Sequence, residues 1–456
     1  MERELWLLWA ALAISFLYYL TFLKWPSGNG RQPPGPRPLP VIGNLLDLRR
    51  GNLHHTLVHL ARIHGPVMFL KMGLTTTVVI SSRDAAREAF TRHDRRLAAR
   101  TVRDSARVPG FFDRSVIWLP SSDQRWKTMR SILATHVVSP RSLAMVRGVR
   151  ERKVRDLVSY IRGRAGQELD VGLAVYGGVI NLRPLDLQGR RRWAAKVYGK
   201  VFRVLDDVID RRLAEDSLSK TKRDDDFLDV LLQLTSTGTI TRADVRAIMF
   251  DVFTAGSDTI SITVVWAMAE LLRNPGIMAK VRAEIEDALG SKETIDENDA
   301  MSLPYLQAVV KEAMRLHPAG PILLPHEAVE NGVEIEGYTV PKGCSVIFNV
   351  WAIMRDPAAW ERPDEFAPER WFLNGTAEVN FRAKDFEFIP FGSGRRICPG
   401  VPIVERVLPH ILVSLLHAFE WKLPNGMSAE QLDVSEKFTT ANVMAVPLKA
   451  VPIVIT

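Results

Sequence analysis

Cysteine is scarce in this sequence, which has Cys344 and Cys398 and no others in 456 residues. With so few cysteines and no C-x-x-C pair, the sequence supports neither a disulfide framework nor a cysteine-type zinc site, and it fits a reducing compartment. The signatures H-E-x-x-H and G-x-x-x-x-G-K-[ST] are missing, as is G-x-G-x-x-G after a strand, which argues against a metalloprotease and the common nucleotide-binding folds. No fixed-period repeat occurs, which argues against a solenoid.

Composition disfavours both disorder and nucleic-acid binding. Apolar residues make up 46% of the chain and charged residues 25%, as in a folded globular protein. The formal net charge of +8 favours acidic partners or an anionic membrane surface. The basic residues are scattered, however, and no base-stacking or zinc-finger pattern accompanies them, so no nucleic-acid partner is expected.

The N-terminus carries a long apolar run. Residues 5–23 are nineteen positions without a charge, close to the roughly 20 that span a bilayer as a helix. A cleaved secretory signal is the alternative, but its apolar core is usually about 7–15 residues and ends at small residues, whereas bulky Trp25 stands at this exit. Lys24 and Arg31 follow, so the positive-inside bias favours a cytosolic body. We predict an uncleaved anchor over residues 1–24.

A proline-rich segment follows the apolar run. Five prolines lie in the eight residues 33–40, and proline fixes φ and prevents a helix. Residues 25–45 are therefore predicted to form a stiff spacer between the anchor and one folded body, residues 46–456. Helical patterns dominate that body, so the predicted fold class is mainly α with small β-sheets. Strand-like stretches are expected at residues 65–81, 327–350 and 437–455.

The stretch from Phe391 to Gly400 (FGSGRRICPG) sets Cys398 among three glycines, ahead of a helical pattern. Glycines let a backbone approach a flat ligand closely, and a cysteine beside Arg395 and Arg396 is favoured as the thiolate, the form that binds metal. The alternative is a small buried cysteine in a glycine-rich turn. The fixed spacing F-x-x-G-x-R-x-C-x-G favours the metal site. Cys344, in a strand-like stretch without a ligand pattern, is predicted to pack in the core.

The longest helical pattern runs from Thr241 to Asn274, and Thr241 with Asp244 forms a possible capping box. At about 1.5 Å per residue this helix is roughly 50 Å long, and apolar residues on most sides predict a central buried helix. Its middle, Ala255-Gly-Ser-Asp-Thr259, is unfavourable in a buried helix. Such local conflicts tend to occur at functional sites. The alternative is a kink relieved by the serine hydroxyl.

Two pairs at helical spacing place an arginine on the same face as another informative side chain. Trp126 and Arg130 are four positions apart, and Glu312 and Arg315 are three apart. Taken alone, the first pair is equally an aromatic ring packed on an arginine stem. The second would mean little as an exposed ion pair. Both gain weight from the loop around Cys398.

These elements resemble the cytochrome P450 superfamily, in which they occur in the same order. The resemblance covers nearly the whole chain, the apolar N-terminus included. Two stretches, VPIVERVLPHILVSLLHAFEW after Gly400 and KFTTANVMAVPLKAVP near the end, are similar to the plant microsomal group that includes geraniol hydroxylase-like enzymes. Members of that group oxidise mono- and diterpenoids and sometimes phenolics.

The resemblance implies the P450 fold with an N-terminal transmembrane helix, and haem b bound through a Cys398 thiolate as the iron ligand. In the implied roles, Thr259 is a hydrogen-bond partner of dioxygen and Asp258 relays protons from solvent. Glu312 and Arg315, joined by an arginine from a Pro-Glu-Arg-Trp element in which the family has Phe, lock the fold behind the haem. The remaining implied residues are Phe391, Arg396 and Gly400 in the cofactor loop, Trp126, Arg130 and His326 at the haem propionates, and Arg370 as the third member of the lock.

The implied reaction inserts one atom of dioxygen into a C–H bond of a small hydrophobic substrate. Electrons would come from NADPH through NADPH–cytochrome P450 reductase, whose acidic face meets the basic proximal surface of the enzyme. The haem carries the difficult chemistry, while the protein positions the substrate. The implied location is the endoplasmic reticulum membrane, with a single pass and a cytosolic catalytic domain.

One departure from the family concerns length. Arg130 and Ala255 are 125 positions apart, whereas family members have about 45 more residues there in chains near 500. The change of character at residues 181–183 predicts an internal deletion that removes the rest of a core helix and the helix roofing the substrate pocket. Three hypotheses remain: a working terpenoid monooxygenase whose roof is rebuilt from residues 183–215, a haem-binding but catalytically impaired variant, and a haem-thiolate lyase or isomerase. The Asp258-Thr259 pair argues against the third.

Overall fold

The computed structural model describes residues 2–22, 31–49, 51–73, 75–102, 107–108, 110–179, 190–218, 226–372 and 386–455. These residues are mainly helical. In chain order the helices are α1 (Glu2–Phe22), α2 (Leu53–His64), α3 (Arg83–Arg92), α4 (Asp94–Leu97), α5 (Gln124–His136), α6 (Pro140–Met145), α7 (Arg147–Arg162), α8 (Val171–Val179), α9 (Arg190–Leu218), α10 (Phe227–Ser236), α11 (Arg242–Arg273), α12 (Pro275–Leu289), α13 (Glu297–Met301), α14 (Pro304–Leu316), α15 (Val350–Ile353) and α16 (Val401–Ala418). The strands are β1 (Val67–Met72), β2 (Thr75–Ile80), β3 (Ala99–Arg100), β4 (Leu169–Asp170), β5 (His326–Glu327), β6 (Val333–Ile335), β7 (Tyr338–Val340), β8 (Ser345–Phe348), β9 (Phe419–Lys422), β10 (Glu436–Phe438), β11 (Asn442–Met444) and β12 (Lys449–Val454).

The chain divides into two compact units. The first, here the strand unit, consists of Met1–Thr101, Gly320–Asp364 and Ala383–Ile397. The second, here the helical unit, consists of Val102–Ala319, Glu365–Arg382 and Cys398–Thr456. The cysteine loop therefore gives Phe391 and Arg396 to the strand unit, and Cys398 and Gly400 to the helical unit.

The strand unit is built on a five-stranded sheet in the order β1-β2-β8-β5-β3. Strands β1 and β2 form the hairpin predicted at residues 65–81, with Val67 opposite Ile80 and Gly73 in the turn at a φ of 59°, a conformation that glycine adopts without strain. Strand β2 then pairs in parallel with β8. One face of the sheet packs on α2, where Leu57, Leu60, Met68, Leu70, Val79 and Ile347 form a buried cluster.

In residues 31–45, the part of the proline-rich segment that the structure describes, no helix forms, and this part is held against the sheet. The carbonyl oxygen of Pro34 accepts a hydrogen bond from the Phe69 backbone N–H at 2.7 Å. A Cβ at Gly35 would lie 2.0 Å from the Phe69 carbonyl oxygen, so a side chain larger than hydrogen would push the segment off β1. The sequence predicted a spacer here and gave no sign of this contact.

The helical unit is organised by α11. Its N-terminus carries the predicted capping box: the Thr241 side chain accepts from the Asp244 N–H, and the Asp244 carboxylate accepts from the Thr241 N–H at 2.8 Å. The half of the helix from Ile260 onwards is largely buried, as predicted. The middle differs, because residues 253–256 are exposed.

Helix α9 packs on α11 through aromatic rings. Tyr198 and Phe202 of α9 lie with Phe111 and Phe250 in one cluster, with centroids of contacting rings 4.8–6.0 Å apart. Such ring pairs contribute about 0.5–1.5 kcal/mol each beyond the area they bury. The chain that follows residues 180–189 is thus anchored on the central helix; the predicted join at 181–183 lies outside the described residues.

Among the residues that the structure describes, two helices, α11 and α16, are long and apolar enough to cross a membrane by length and composition. About half of the apolar window of each is buried, 44% in α11 and 56% in α16, as expected for core helices. In α1 the apolar stretch covers Glu4–Leu17, and its Trp6 and Trp9 side chains are exposed. The anchor over residues 1–24 stays a prediction.

Candidate functional site

Cys398 lies in the turn that leads into α16, with backbone N–H groups directed at its sulfur. The Gly400 N–H donates to Sγ at 3.4 Å, and the Val401 N–H also bonds to it. Burial raises the pKa of the thiol, while these two N–H groups and the Arg130 guanidinium oppose the rise by stabilising the thiolate. The two N–H groups and the cation therefore favour the thiolate, the form that binds metal, against the opposing effect of burial.

The cation that acts on Cys398 is not one of its sequence neighbours. Arg395 instead forms an ion pair with Asp94, with 3.2 Å between Nε and Oδ2, and Arg396 Nε donates to the Ala98 carbonyl oxygen at 2.7 Å. The sequence argument that Arg395 and Arg396 favour the thiolate is thus replaced by Arg130 on α5. The close approach allowed by Gly394 also serves this contact, since a Cβ there would lie 2.1 Å from Asp94 Oδ1.

Trp126 and Arg130 share a face of α5, as their spacing predicts. The Arg130 guanidinium lies 5.7 Å from the centroid of the Trp126 ring. The indole N–H of Trp126, which is 8% exposed, donates to the Val116 carbonyl oxygen at 3.1 Å. The role of Trp126 at a haem propionate stays a prediction.

The strand unit holds a cluster of basic groups formed by Arg100, His326 and Arg396. Arg100 and His326 are opposite each other across β3 and β5. Burial and the charge of Arg396 lower the pKa of Arg100 to about 9. Its Nε is buried and has no hydrogen-bond partner among the residues that the structure describes. Two guanidinium groups in this arrangement attract an anion, because a negative charge relieves their mutual repulsion.

His326 is the neutral member of this cluster. Its Nδ1 lies 2.8 Å from the Leu97 carbonyl oxygen, and burial together with Arg100 and Arg396 holds its pKa well below the usual value. The sequence indicated a cation or an imidazole at this position, and the structure favours a neutral imidazole. Arg100 was not identified from the sequence, because only the pairing of β3 with β5 brings it beside His326.

The middle of α11 presents an exposed stripe of Phe253, Gly256 and Thr259 at helical spacing. A Cβ at Gly256 would meet no atom within 4 Å, so this face of the helix is open. The Thr259 hydroxyl donates to the Ala255 carbonyl oxygen at 2.7 Å, and Ser257 donates likewise to Phe253. These bonds satisfy the hydroxyl groups within a continuous helix.

Asp258 is half-buried beside this stripe. Burial raises the pKa of its carboxyl group, and a hydrogen bond from Tyr176 on α8 opposes the rise. A carboxyl group titrating above its usual range, next to an exposed hydroxyl, is suited to proton transfer.

Comparison with known proteins decides the family. The family model described as "Cytochrome P450" matches residues 33–182 and 178–445. The chain belongs to the cytochrome P450 family.

Relatives of this P450 include plant proteins. It is 58% identical over 504 residues to "Cytochrome P450 76M5" of Oryza sativa subsp. japonica, with 99% of each chain covered. It is 54% identical to "Oryzalexin D synthase" and to "Ent-cassadiene C11-alpha-hydroxylase 1" of the same organism, over 499 residues, covering all of this chain and 99% of each relative. Within the family, the chain falls in the CYP76 group of plant P450s. Its relatives include diterpenoid-oxidising enzymes.

Solved structures show the same fold. A zebra fish cytochrome P450 with abiraterone gives a TM-score of 0.72 at 24% identity, covering 89% of this chain and 99% of that chain. The predicted P450 fold, mainly helical with small sheets, is confirmed. The chain is a member of the P450 monooxygenase family. Membership of this family implies a haem iron, dioxygen, a substrate and a redox partner.

In this P450 the three predicted lock residues meet at Glu312. Its carboxylate accepts from Arg315 Nε and Nη2 at 2.9 Å and from Arg370 Nε at 2.9 Å. The Trp371 indole N–H and the Ala367 backbone N–H donate at 3.1 and 3.0 Å. Trp371, where the family has Phe, thus adds a donor to the carboxylate.

A second buried carboxylate of the P450, missed by sequence reasoning, holds the loop before α5. Asp251 accepts from the Ser115 hydroxyl at 2.8 Å and from the Val116 backbone N–H at 2.8 Å, and it is 3% exposed. Burial raises its pKa to about 7, against the lowering effect of these hydrogen bonds. No local pattern marks this position, because Ser115 is 136 residues away in the chain.

Replacing Asp251 by asparagine should flatten the pH dependence of stability. Because the pKa of Asp251 is raised in the folded state, the protonated side chain stabilises the fold. This contribution to stability is fully present below about pH 4, is lost as pH rises towards about 7, and changes no further above that. Thermal midpoints measured from pH 4.5 to 8 should fall less with pH in Asp251→Asn than in the parent. Asp156→Asn, at an exposed position, is the control, and equal slopes in parent and Asp251→Asn would contradict the assignment.

Proposed function

We propose that this chain is a haem-thiolate monooxygenase that hydroxylates a small hydrophobic substrate. Among the terpenoids, we propose a diterpenoid as the substrate class. The observation that carries the proposal is the Cys398 sulfur, held by the Gly400 and Val401 N–H groups and by Arg130. The names of the rice relatives, which include an oryzalexin synthase and an ent-cassadiene hydroxylase, support the diterpenoid class.

The residues present fit haem b. Cys398 would be its iron ligand. Arg100 Nε, which has no hydrogen-bond partner in the described part of the chain, has with Arg396 beside it the chemistry needed for a propionate. Phe391 and Gly400 of the cysteine loop, and Trp126, Arg130 and His326, are the further residues proposed at the cofactor. When bound, the haem would supply dioxygen activation and C–H oxidation.

The chain's own residues would bind substrate and move protons. The exposed stripe of Phe253, Gly256 and Thr259 offers an apolar ring and an open helix face to a flat or apolar ligand. Thr259 Oγ1, which donates to the Ala255 carbonyl oxygen, is an exposed hydroxyl that can hold and pass on a proton. Asp258 would take that proton from solvent through its raised-pKa carboxyl group.

The proposed setting is the endoplasmic reticulum membrane. Residues 1–24 would be a single-pass anchor and residues 25–45 a hinge, leaving the catalytic domain, residues 46–456, in the cytosol. The net charge of +8 supports docking of the acidic NADPH–cytochrome P450 reductase.

We also propose that the chain lacks an internal segment near residues 181–183. The two stretches matched by the family model meet at residues 178–182. The alignment with "Cytochrome P450 76M5" runs over 504 residues although this chain has 456, and the missing length is similar to the shortfall between Arg130 and Ala255. The packing of α9 on α11 supports a folded and working enzyme, whereas the exposed residues 253–256 favour the alternative of a haem-binding but impaired variant. A lyase or isomerase remains the weaker alternative.

A reduced carbon monoxide difference spectrum of the membrane-bound protein tests the proposal. The expected result is a thiolate-type Soret band, followed by NADPH consumption and hydroxylated product when reductase and ent-cassadiene are added. Absence of the band would overturn haem-thiolate binding. An intact band without product, restored when the corresponding segment of "Cytochrome P450 76M5" is inserted at residues 181–183, would establish the impaired variant instead.

A further inference from the structure

Asp251 of α11 is joined to Trp126 of α5 through the backbone of a single residue, Val116. The Val116 N–H donates to Asp251 Oδ2 at 2.8 Å, and the Val116 carbonyl oxygen accepts from the Trp126 indole N–H at 3.1 Å. We propose that Asp251 is a positioning residue of the haem site, which holds Val116 in place and thereby fixes the Trp126 ring and the Arg130 guanidinium next to it. The consequence for the haem rests on the proposed monooxygenase function.

The Asp251 carboxylate holds the loop around Val116 at more than one point. The Ser115 hydroxyl lies 2.8 and 2.9 Å from the two carboxylate oxygens, and the Ile117 N–H donates to the Ser115 hydroxyl oxygen at 3.1 Å. Ser115 and Asp251 are 0% and 3% exposed, so bulk water does not compete for these donors. Three consecutive loop residues are therefore held by one buried side chain, directly or through Ser115, and the Val116 peptide group has little freedom to turn.

The Trp126 end of this connection is buried as well. Trp126 is 8% exposed and belongs to a buried cluster that includes Val116 and Met129. The indole N–H is the single donor of the side chain, and its bond to the Val116 carbonyl oxygen fixes the rotation of the ring. A displaced Val116 would turn the ring or leave the N–H buried without this acceptor, which costs more than the hydrogen bond itself contributes.

Arg130 takes its position from the Trp126 ring. The guanidinium carbon lies 5.7 Å from the ring centroid, within the range of a cation–π interaction. In the described part of the chain no carboxylate forms an ion pair with Arg130, so the contact with the ring is left to orient it. A shift of Val116 would therefore reach two residues that are proposed at the cofactor.

Arg114 offers a matched control, because it ties the same loop to the same helix at a different point. Its Nη1 lies 2.8 Å from Asp244 Oδ1, and Asp244 precedes Asp251 on α11 by about two turns of roughly 3.6 residues. Arg114→Ala should therefore loosen the loop and leave the bonds of Val116 to Asp251 and Trp126 in place.

A double-mutant cycle in thermal stability tests the connection without reference to turnover. Asp251→Ala removes the acceptor, and Trp126→Phe keeps a ring next to Arg130 while removing the indole N–H. We expect Asp251→Ala to lower the thermal midpoint by about 2–5 °C, and Trp126→Phe to cost less than half as much in that background as in the parent. In Arg114→Ala the cost of Trp126→Phe should be unchanged. Equal costs of Trp126→Phe in the parent and in Asp251→Ala would overturn the connection.

Haem retention separates positioning from a general loosening of the fold. In the haem-loaded full chain, transfer of haem to added apomyoglobin should be about 2–10-fold faster in Asp251→Ala, the change expected for one hydrogen bond of ordinary strength. A similar rise is expected in Trp126→Phe, and the double variant should be no faster than the faster single variant. Asp251→Asn keeps a side-chain carbonyl oxygen for the Val116 N–H, so its rate should stay within about twofold of the parent, as should that of Arg114→Ala.

The outcomes distinguish this inference from the proposed function. A parent protein without the thiolate band overturns the monooxygenase function, and the thermal cycle then decides the connection between Asp251 and Trp126 on the folded protein. With a normal band, equal haem transfer from Asp251→Ala and Arg114→Ala would overturn the positioning role, as would additive effects of Asp251→Ala and Trp126→Phe. Haem transfer from Asp251→Asn as fast as from Asp251→Ala would overturn the role of the bond to Val116.

Discussion

Cys398→Ser is expected to abolish the thiolate-type Soret band of the reduced carbon monoxide complex, whereas Cys344→Ser should leave it intact. Cys398 has two backbone N–H groups and Arg130 stabilising its thiolate. Cys344 is 1% exposed, and burial raises its pKa to about 12. Since the thiolate is the form that binds metal, Cys344 stays a thiol and cannot replace the ligand.

The two serine variants should be compared in the same membranes, with haem content measured alongside the spectrum. Serine is close in size to cysteine, so retained protein with an altered spectrum locates the defect at the iron ligand. Loss of the band in Cys344→Ser, with Cys398→Ser unaffected, would refute the assignment of the ligand.

Glu312→Gln should cost about 3–5 kcal/mol of unfolding free energy, because it leaves buried guanidinium charges without their counter-ion. Glu312 and Arg315 are both fully buried, and Arg370 donates to the same carboxylate. The side-chain amide of the glutamine also places its own N–H donors against the N–H groups that donate to the carboxylate in the parent protein. Against a typical total of about 5–15 kcal/mol, this loss should lower both the denaturant midpoint and the folded yield.

Two further variants grade this effect. Trp371→Phe removes one indole donor at 3.1 Å and should cost about 1–2 kcal/mol. Asp364→Asn, at a carboxylate that is 81% exposed beside Arg355, should cost less than about 1 kcal/mol. Denaturant midpoints and folded yield measure all three variants. A Glu312→Gln protein no less stable than Asp364→Asn would rule out the carboxylate as the centre of the lock.

Local patterns carried much of the fold. The capping residues Thr241 and Asp244 and the apolar run between them and Asn274 were sufficient to place α11 within a residue or so of its observed ends. Period-two alternation placed the hairpin of β1 and β2 in the same way. Each of these signals depends on residues within one or two turns, or one strand, of each other. The parallel pairing of β2 with β8 had no such signal.

The candidate site was predictable only where its residues are close in sequence. The cysteine loop and the Ala255–Thr259 segment were found because their spacing is fixed. The groups that lie beside the predicted site residues come from elsewhere in the chain: Arg130 acts on the sulfur, and Arg100 lies beside His326. A charge beside a cysteine in the sequence need not be beside it in space, as the Arg395–Asp94 ion pair shows.

The pairing of β2 with β8 also sets an order of events during translation. Thr77 and Ser345 are partners, and at about 5–20 residues per second the ribosome needs on the order of 10–50 s to supply the second strand after the first. During that interval β2, four of whose six residues end up buried, can pair with β1 while its other edge stays open. Unpaired apolar strand edges recruit other chains. Accumulation of folded protein in a host cell should therefore rise with added chaperones and with a lower growth temperature. Changes in its surface residues should have a smaller effect.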